Sequence, residues 1–584
     1  MAKVNKGGYI SYKIKIGGKE YVSSGPIISI QTFCEINRIP TATLILVDGD
    51  PSTQTFELSS DTNLDPGKEI EIELGYKGTN KPLFKGIIVR HSIKSSGALG
   101  IYLKIECKHS ALKMTLGRKV RYFEEKDDKA IITELFKDNK LTGVTYKGEF
   151  IKNASFLQFD ITDWDFMMTR CEANSKLVLF DVDKVIVDDA KISGEPVQTY
   201  FFGKDIIEFE SEVDTEHQLQ KVESYSWDSN TQKVISSVAK PSDFKQLENK
   251  GVKQADLKAL VSPTSYELFH GGEMVKAELD GWGKAKFTKS SLSKIKGRLK
   301  IVGDNSLKLG DVIEIKGIGD KFSGKVLITA LRNDYSESGW VTDIQFGLTN
   351  TWLIEKPNVN SLPAGGLNSA VHGLQIGKVL KIDGDDQHRV QIALPIGGEK
   401  AKIWARMAFG DAGNKRGHIF WPEKDDEVIV GFLNDDPRNP IILGSLYSKK
   451  NVPAIKPDAK NPEKGFISKS DVRIVINDED KSVVIKTPGG NSVTIDDKKK
   501  SIEIADQHKN VIKMAKAGIT ITSKGDITLD ATKKINLKAK ADVAIEGMNV
   551  KIKAKTKFAA EGAAGADIKS SAIASVKGSM VKIN

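Results

Sequence analysis

The feature that most constrains this chain is a repeat near its C-terminus. From Gly518 the sequence reads GITITSKG, DITLDATK, KINLKAKA, DVAIEGMN, with apolar pairs at Ile519/Ile521, Ile527/Leu529, Ile535/Leu537 and Val543/Ile545. The step is eight residues. A seven-residue step then leads to Val550/Ile552, followed at eight by Phe558/Ala560 and Ala566/Ile568, and the tail carries Val581/Ile583. Upstream, similar pairs lie nine or ten apart, from Ile474/Ile476 through Val483/Ile485, Val493/Ile495 and Ile502/Ile504 to Ile512/Met514. Apolar residues alternate with Thr, Lys and Asp, which is the two-residue period of a strand, and a fixed long period marks a repeat architecture.

An ordinary antiparallel meander is one solution, at about 8–12 residues per strand. The energetics favour another. Two modest apolar side chains per octad bury about 3–6 kcal/mol, against backbone ordering of about 8–16 kcal/mol for eight residues. Three copies around one axis pool their inward side chains and close every strand edge. The repeat therefore predicts a trimeric β-helix needle, a stiff rod.

At 584 residues the chain needs several cores. The start, MAKVNKGGYISYKIKIGG, has no apolar stretch or small-residue cleavage site of a secretory signal. No eighteen-residue apolar run occurs, so no stable membrane insertion is expected. Cys34, Cys107 and Cys171 are odd in number and far apart, as in a chain made with reduced thiols in the cytoplasm. Cys107 and His109 lack a second Cys/His pair, so no metal is expected. The net charge of +10 is concentrated after residue 510, where fourteen Lys, no Arg and six carboxylates lie. With Phe558 the only aromatic there, the pattern is a solvated strand face rather than a nucleic-acid groove.

Residues 372–448 give five strand-like runs, Leu374–Ile382, Arg389–Leu394, Ile403–Met407, Glu427–Leu433 and Ile441–Leu446, with turns at Asp383-Gly384 and Asn434-Asp435-Asp436-Pro437. This suits an OB-fold barrel. Trp404, Phe409, Phe420, Trp421 and Phe432 are expected to fill the barrel or an interface, and His388/Arg389 to be hairpin-turn chemistry.

The stretch HRVQIALP through WARMA to WPEKDDEVIVGFLNDDPRNPIILGSLY resembles the OB domain of VgrG-type spike proteins of type VI secretion and related contractile injection systems. The marks are Trp404, the Pro422-to-Val430 stretch, and Asp436, Pro437, Pro440, Gly444 and Tyr447. FLQFDITDWDFMMTRCEANSKLV (156–178) is similar to the hub of that family, in Trp164, Asp165, Phe166, Glu172, Ala173 and Asn174, with Ser175 where the family has glycine. The resemblance implies two tandem tube-like β-barrel hub domains per chain.

From the residues themselves, strand-like runs occur at Tyr9–Ile16, Thr43–Val47 and Ile70–Leu74, and Asp127–Asn139 is the clearest helix, with Asp127 as cap and Ile131, Leu135 and Phe136 as its stripe. Phe156–Val178 reads as a strand and short helix, 275–355 as β-rich, and Lys245–Pro263 as a connecting excursion with helical character.

The expected organisation is mainly β: hub 1–357, linker 358–371, barrel 372–448, linker 449–465, needle 466–584. Neither SKKNVPAIKPDAKNPEKG nor the end at Asn584 leaves room for an effector domain, and no nucleophile elbow, HExxH helix or phosphate loop occurs. The acidic clusters Glu124-Glu125 with Asp127-Asp128, and Asp478-Glu479-Asp480, fit a helix start and a turn, so no enzyme activity, catalytic residue or cofactor is expected. The resemblance implies a homotrimer capping a hexameric inner tube protein, with baseplate proteins, effectors and a PAAR-like tip protein seated near Met580, Val581, Lys582 and Ile583, assembled in the cytoplasm and delivered outside or into a target cell. The alternative is a phage-like tailspike or baseplate protein with a receptor-binding or glycan-degrading role. A nucleic-acid-binding OB protein is a third reading, and no nucleic acid is expected.

Overall fold

Asp127 stops one strand-rich stretch and starts a helix: its Oδ1 accepts the Ala130 N–H at 2.7 Å, and α1 (Asp128–Asp138) follows. The computed structural model describes residues 8–97, 100–152, 155–189, 194–240 and 265–583. The expected excursion at Lys245–Pro263 lies outside the described residues. Two compact units divide the chain: residues 1–375 with 403–406 and 430–442, and residues 376–402, 407–429 and 443–584.

In the first unit a thirteen-stranded sheet carries two apolar cores. Its N-terminal part contains Ile10–Ile16, Ile27–Glu35, Arg38–Val47, Glu69–Tyr76, Thr79–Ser96 and Gly100–Lys108. Their alternating residues Ile14, Leu44, Ile72, Phe84, Leu103 and Ile105 are buried. The second part contains Ile206–Val213, Ile295–Val302, Gly324–Ser336 and Gly339–Phe346, around Leu299, Ile301, Ile313, Ile328 and Ile344. The parts join where Gly324–Ser336 pairs antiparallel with Ile27–Glu35, from Ala330↔Glu35 to Ser336↔Ser29.

A third core gathers α1 and α2 (Asp163–Ala173). Ile131, Leu135 and Phe136 form the expected buried stripe and meet Trp164, Phe166 and Met167. The strand Ser155–Ile161 precedes α2, as the sequence predicts, and Thr162 caps it. Two buried carboxylates tie this module. Asp128, fully buried, accepts from Arg170 Nε at 2.7 Å and Nη2 at 3.0 Å, and from Asn174 Nδ2 at 2.6 Å. Asp163 accepts from Lys119, Arg121, Asn139 and Gln158.

The reading of 275–355 as β-rich needs correction. A helix, α3 (Lys276–Leu292), opens it. Gly281 and Gly283 let it pack closely, since a Cβ on Gly281 would meet Ile151 Cδ1 at 2.5 Å and one on Gly283 would meet Ser224 Oγ at 3.0 Å. Thr288, Ser290 and Ser291 are buried on it beside Leu279, Ala285, Phe287 and Leu292, so hydroxyls interrupt the apolar stripe that sequence periodicity detects.

The five runs of the barrel appear as Gln375–Lys381, Val390–Ala393, Lys402–Met407, Glu427–Phe432 and Pro440–Ser445, closed into a barrel. Val379, Val390, Ile392, Ala405, Val428, Val430 and Ile442 are fully buried. Glu463–Ile467, which starts within the expected linker 449–465 and runs into the expected needle, begins a seven-stranded antiparallel ladder that ends at Gly518–Thr522. Among the described residues no helix is long and apolar enough to cross a membrane.

Replacing Asp128 by Ala strands the buried Arg170 guanidinium, and urea unfolding should show the module losing about 3–5 kcal/mol. Burial pushes the Asp163 carboxyl up, but hydrogen bonds from Gln158, Lys119 and Asn139 and the charge of Arg121 outweigh it and hold it below the usual range. Its stabilisation is therefore present above the ordinary aspartate value, about 3.9, and is lost as pH falls through the lower folded value. Far-ultraviolet circular dichroism should show wild type losing stability in that acid window, and Asp163→Asn losing less of it there.

Candidate functional site

Five-residue strands in the C-terminal ladder place apolar residues at their second and fourth positions, save Lys464 in the first, and antiparallel register lines them up. One row runs Phe466, Ile474, Ile485, Val493, Ile504, Ile512, Ile521, each directly opposite the next. A second runs Ile476, Val483, Ile495, Ile502, Met514, Ile519. Directly paired residues share a face, so both rows lie on one side of the sheet. That side is uncovered: Ile474 is 41 %, Ile495 45 % and Ile504 46 % exposed. The single chain thus adopts the antiparallel pairing of a meander over 463–522 but leaves its apolar face in water.

After Thr522 the described residues pair with no strand of the same chain. The backbone nevertheless bends at 524–525, 532–533, 540–541, 548, 555–556, 563–564, 571–572 and 579–580. These corners follow the step of the repeat, seven-residue interruption included. Between them extended segments carry exposed apolar pairs such as Ile527/Leu529 and Ile535/Leu537. The sequence-predicted tip residues Met580, Val581 and Ile583 are exposed, with Lys582 between the last two.

The barrel aromatics do not fill the barrel, contrary to the first half of that expectation. Small and β-branched residues occupy the interior, while Trp404, Phe409 and Phe432 are half-buried. Phe420 is 62 % exposed and stacks on Phe466, with centroids 5.6 Å apart, and Trp421 meets Phe409 edge-on at 5.1 Å. They form a surface cluster, suited to an interface.

His388/Arg389 is turn chemistry: His388 takes a positive φ of 56°, and Arg389 donates to both Asp385 oxygens, at 3.1 and 2.8 Å. The Arg389 hydrogen bond holds the Asp385 carboxyl down to about 2. Asp436, in the acidic-Pro turn, is held likewise by Arg438, down to about 2.

Cys107 and His109 go separate ways. Cys107 lies in an apolar core, where burial pushes its thiol up to about 12. His109 Nδ1 accepts the Ala111 N–H at 3.1 Å as a helical cap, and burial pushes its ring down to about 4. Among the described residues no group of three His, Cys, Asp or Glu could hold a metal ion. Of the acidic clusters, Asp127 caps α1, Asp128 pairs with Arg170, and Asp480 pairs with Lys498 at 2.6 Å.

The hub motif is structural too. Glu172 accepts the Leu353 N–H at 2.9 Å and pairs with Lys289 at 2.6 Å, and Asn174 Oδ1 accepts the Ile151 N–H at 2.7 Å. Ser175 has a φ of 55°, the left-handed region glycine adopts freely, which explains the residue type expected there. The interhelical role of Lys289, which also lies over the Trp352 ring at 5.3 Å, was not visible in sequence because its partners are far apart in the chain.

Two family models match. One, described as the Alg8 N-terminal domain, covers residues 6–337, and one, the type VI secretion system/phage-baseplate injector OB domain, covers residues 375–447. The actin cross-linking toxin VgrG1 of Vibrio cholerae is 40 % identical over 93 residues, 14 % of this chain and 8 % of that protein. The type VI secretion system spike protein VgrG3 of Vibrio cholerae is 44 % identical over 63 residues, 11 % of this chain and 6 % of that protein. The matched stretches thus span under a tenth of these curated relatives. The tail protein from Neisseria meningitidis aligns over 59 % of this chain and 98 % of its own at 13 % identity, with a TM-score of 0.44. With the first model spanning more than half of its residues, the chain belongs to the Alg8 N-terminal domain family, and in its barrel to the VgrG-type spike proteins of type VI secretion and phage-baseplate injectors.

Proposed function

We propose that the chain is the structural central spike of a contractile injection system, a homotrimer whose residues 466–584 form the puncturing needle. One observation carries this reading: two apolar rows, one across seven strands and one across six, stay uncovered in the single chain, and the octads beyond them bend at regular corners without pairing to themselves. The two-fifths of each such isoleucine still in water is worth about 0.6–1.3 kcal/mol once covered, and two further copies, offering the same rows, satisfy all three chains at once. Stacked strands closed around an axis leave no free edge. The result is a stiff rod, and a stiff rod transmits axial force. The role is mechanical and uses no catalytic group.

Residues 1–357 are read as the hub, with the two apolar cores as its two tube-like domains, capping a hexameric inner tube among baseplate proteins. Residues 358–371 and 449–465 serve as linkers around the barrel. Exposed Met580, Val581 and Ile583, with Lys582, form the seat of a PAAR-like tip protein, and effectors travel on the assembly into the target cell. The particle is assembled in the cytoplasm and delivered with the injected tube.

Purified protein should have a mass in solution three times the 64.0 kDa chain. Burying two carboxylates in the apolar rows, as Ile495→Asp with Ile504→Asp, should cut the trimer population about tenfold or more while the hub keeps its circular dichroism. A stable monomer of the unsubstituted chain defeats the proposal. For the tip, Val581→Asp with Ile583→Asp should leave the trimer mass unchanged and abolish co-purification of a co-expressed PAAR-like protein.

A further inference from the structure

The residue following the second apolar position of each C-terminal unit alternates in sign. After Leu529, Leu537, Ile545, Ile552, Ala560 and Ile568 come Asp530, Lys538, Glu546, Lys553, Glu561 and Lys569. The alternation keeps to the structural unit, not to a count of eight: Glu546 and Lys553 are seven apart, as are Ile545 and Ile552. The backbone gives the same register. Every one of these six residues stands two positions before a bend, the bends beginning at 532, 540, 548, 555, 563 and 571. They therefore occupy one equivalent place on six consecutive rungs.

Within one chain these charges are mostly idle. Lys569 meets Asp567 at 3.4 Å with both side chains largely in water, and the other five form no ion pair among the described residues. Nor do the rungs pair with one another in the single chain, which leaves their backbone groups open to strands of other copies. In a threefold stack with rungs in order, each rung of one chain lies about 4.8 Å from the next rung of another. Asp530 then faces Lys538, Lys538 faces Glu546, and so on. The ladder upstream shows the same contact inside one chain, where Glu503 lies opposite Lys513 at 3.2 Å.

We propose that this column of alternating charge is a register key between copies of this chain; the proposal rests on the threefold reading of the needle. The apolar pairs alone cannot set register, because similar pairs recur on every rung and a slip of one rung buries nearly as much. The same slip sets Asp530 against Glu546 and Lys538 against Lys553, and like charges directly opposite are destabilising. The key makes one alignment better than its neighbours, as charged flanking positions do in coiled coils.

The test uses the full chain and a variant with the column inverted, D530K, K538E, E546K, K553E, E561K and K569E, which leaves the net charge unchanged. Each alone should give trimers. Co-expressed with different tags and weighed by native mass spectrometry, they should form mixed trimers at roughly a tenth or less of the statistical share, because every rung of a mixed pair sets like charges opposite. Statistical mixing overturns the key while leaving the trimer intact, whereas absence of trimers from the unsubstituted chain overturns the needle reading itself. A single Glu546→Lys, between Lys538 and Lys553, gives an independent readout. It should lower the melting temperature in dilute buffer, the deficit shrinking in about 1 M salt and reversing when the other five positions are inverted with it. Melting of Glu546→Lys identical to wild type in dilute buffer also overturns the key.

Discussion

A strand that spends only two of eight residues on apolar contact cannot enclose a core of its own, and that shortage governs the C-terminal part of this chain. The antiparallel ladder satisfies its backbone hydrogen bonds locally. It does not satisfy its side chains, since Ile474, Ile485, Ile495 and Ile504 keep two-fifths or more of their surface in water. Local pairing and burial are thus separable demands, met by different means. The backbone can be served within the chain, whereas the apolar rows need surfaces that one chain does not possess.

The N-terminal unit solves the opposite problem. It has apolar residues in plenty, and what fixes the position of its helical module is buried charge. Asp128 with Arg170 and Asn174 ties α1 to α2, and Asp163 with Lys119, Arg121, Asn139 and Gln158 ties α2 to neighbouring strands and to the end of α1. A buried ion pair adds little net stability beside an apolar replacement, but it penalises every arrangement that separates its partners. Specific placement of α2 is what such pairs provide. The Glu172 contact to the Leu353 N–H extends the same device to the segment that follows the sheet.

Legibility in the sequence followed the physical signal. The barrel strands were readable within a residue or two because they alternate and are separated by Gly384 at φ 82° and Asn434 at φ 52°, positions whose residue types announce a turn. α1 was readable from a capping aspartate and a three-residue stripe. α3 was not, because it buries hydroxyls: Ser290 Oγ donates to His217 O at 2.6 Å and accepts from Leu219 N at 3.0 Å, and two glycines lower its propensity. The switch from ladder to corners was not legible in the spacing. Pairs nine or ten apart leave four or five residues for a reversing turn, such as Asp478 to Lys481, where Lys481 takes φ 49°. Yet Val511–Ala515 and Gly518–Thr522, whose apolar pairs are only seven apart, still pair antiparallel, so a step of eight does not by itself end the ladder. The sequence left the barrel aromatics between interior and interface, because an aromatic beside a strand has the same signature whether it faces in or out.

The charge of the C-terminal segment gains meaning from the same geometry. A surplus of lysine over carboxylate reads, as a total, like affinity for polyanions. Resolved rung by rung, part of it alternates with acid at one fixed place, and the remainder, including Lys551, Lys555 and Lys557, lies elsewhere on the rungs. Exposed strand-rich segments with long apolar rows are hazards for edge-to-edge association with the wrong partner, and lysine is the residue that most often blunts such edges. The two sets of charge then act in opposite senses. The alternating set favours one neighbour at one register, and the surplus repels all others, so that a chain obliged to find partners for burial is restricted in which partners and which alignment it accepts.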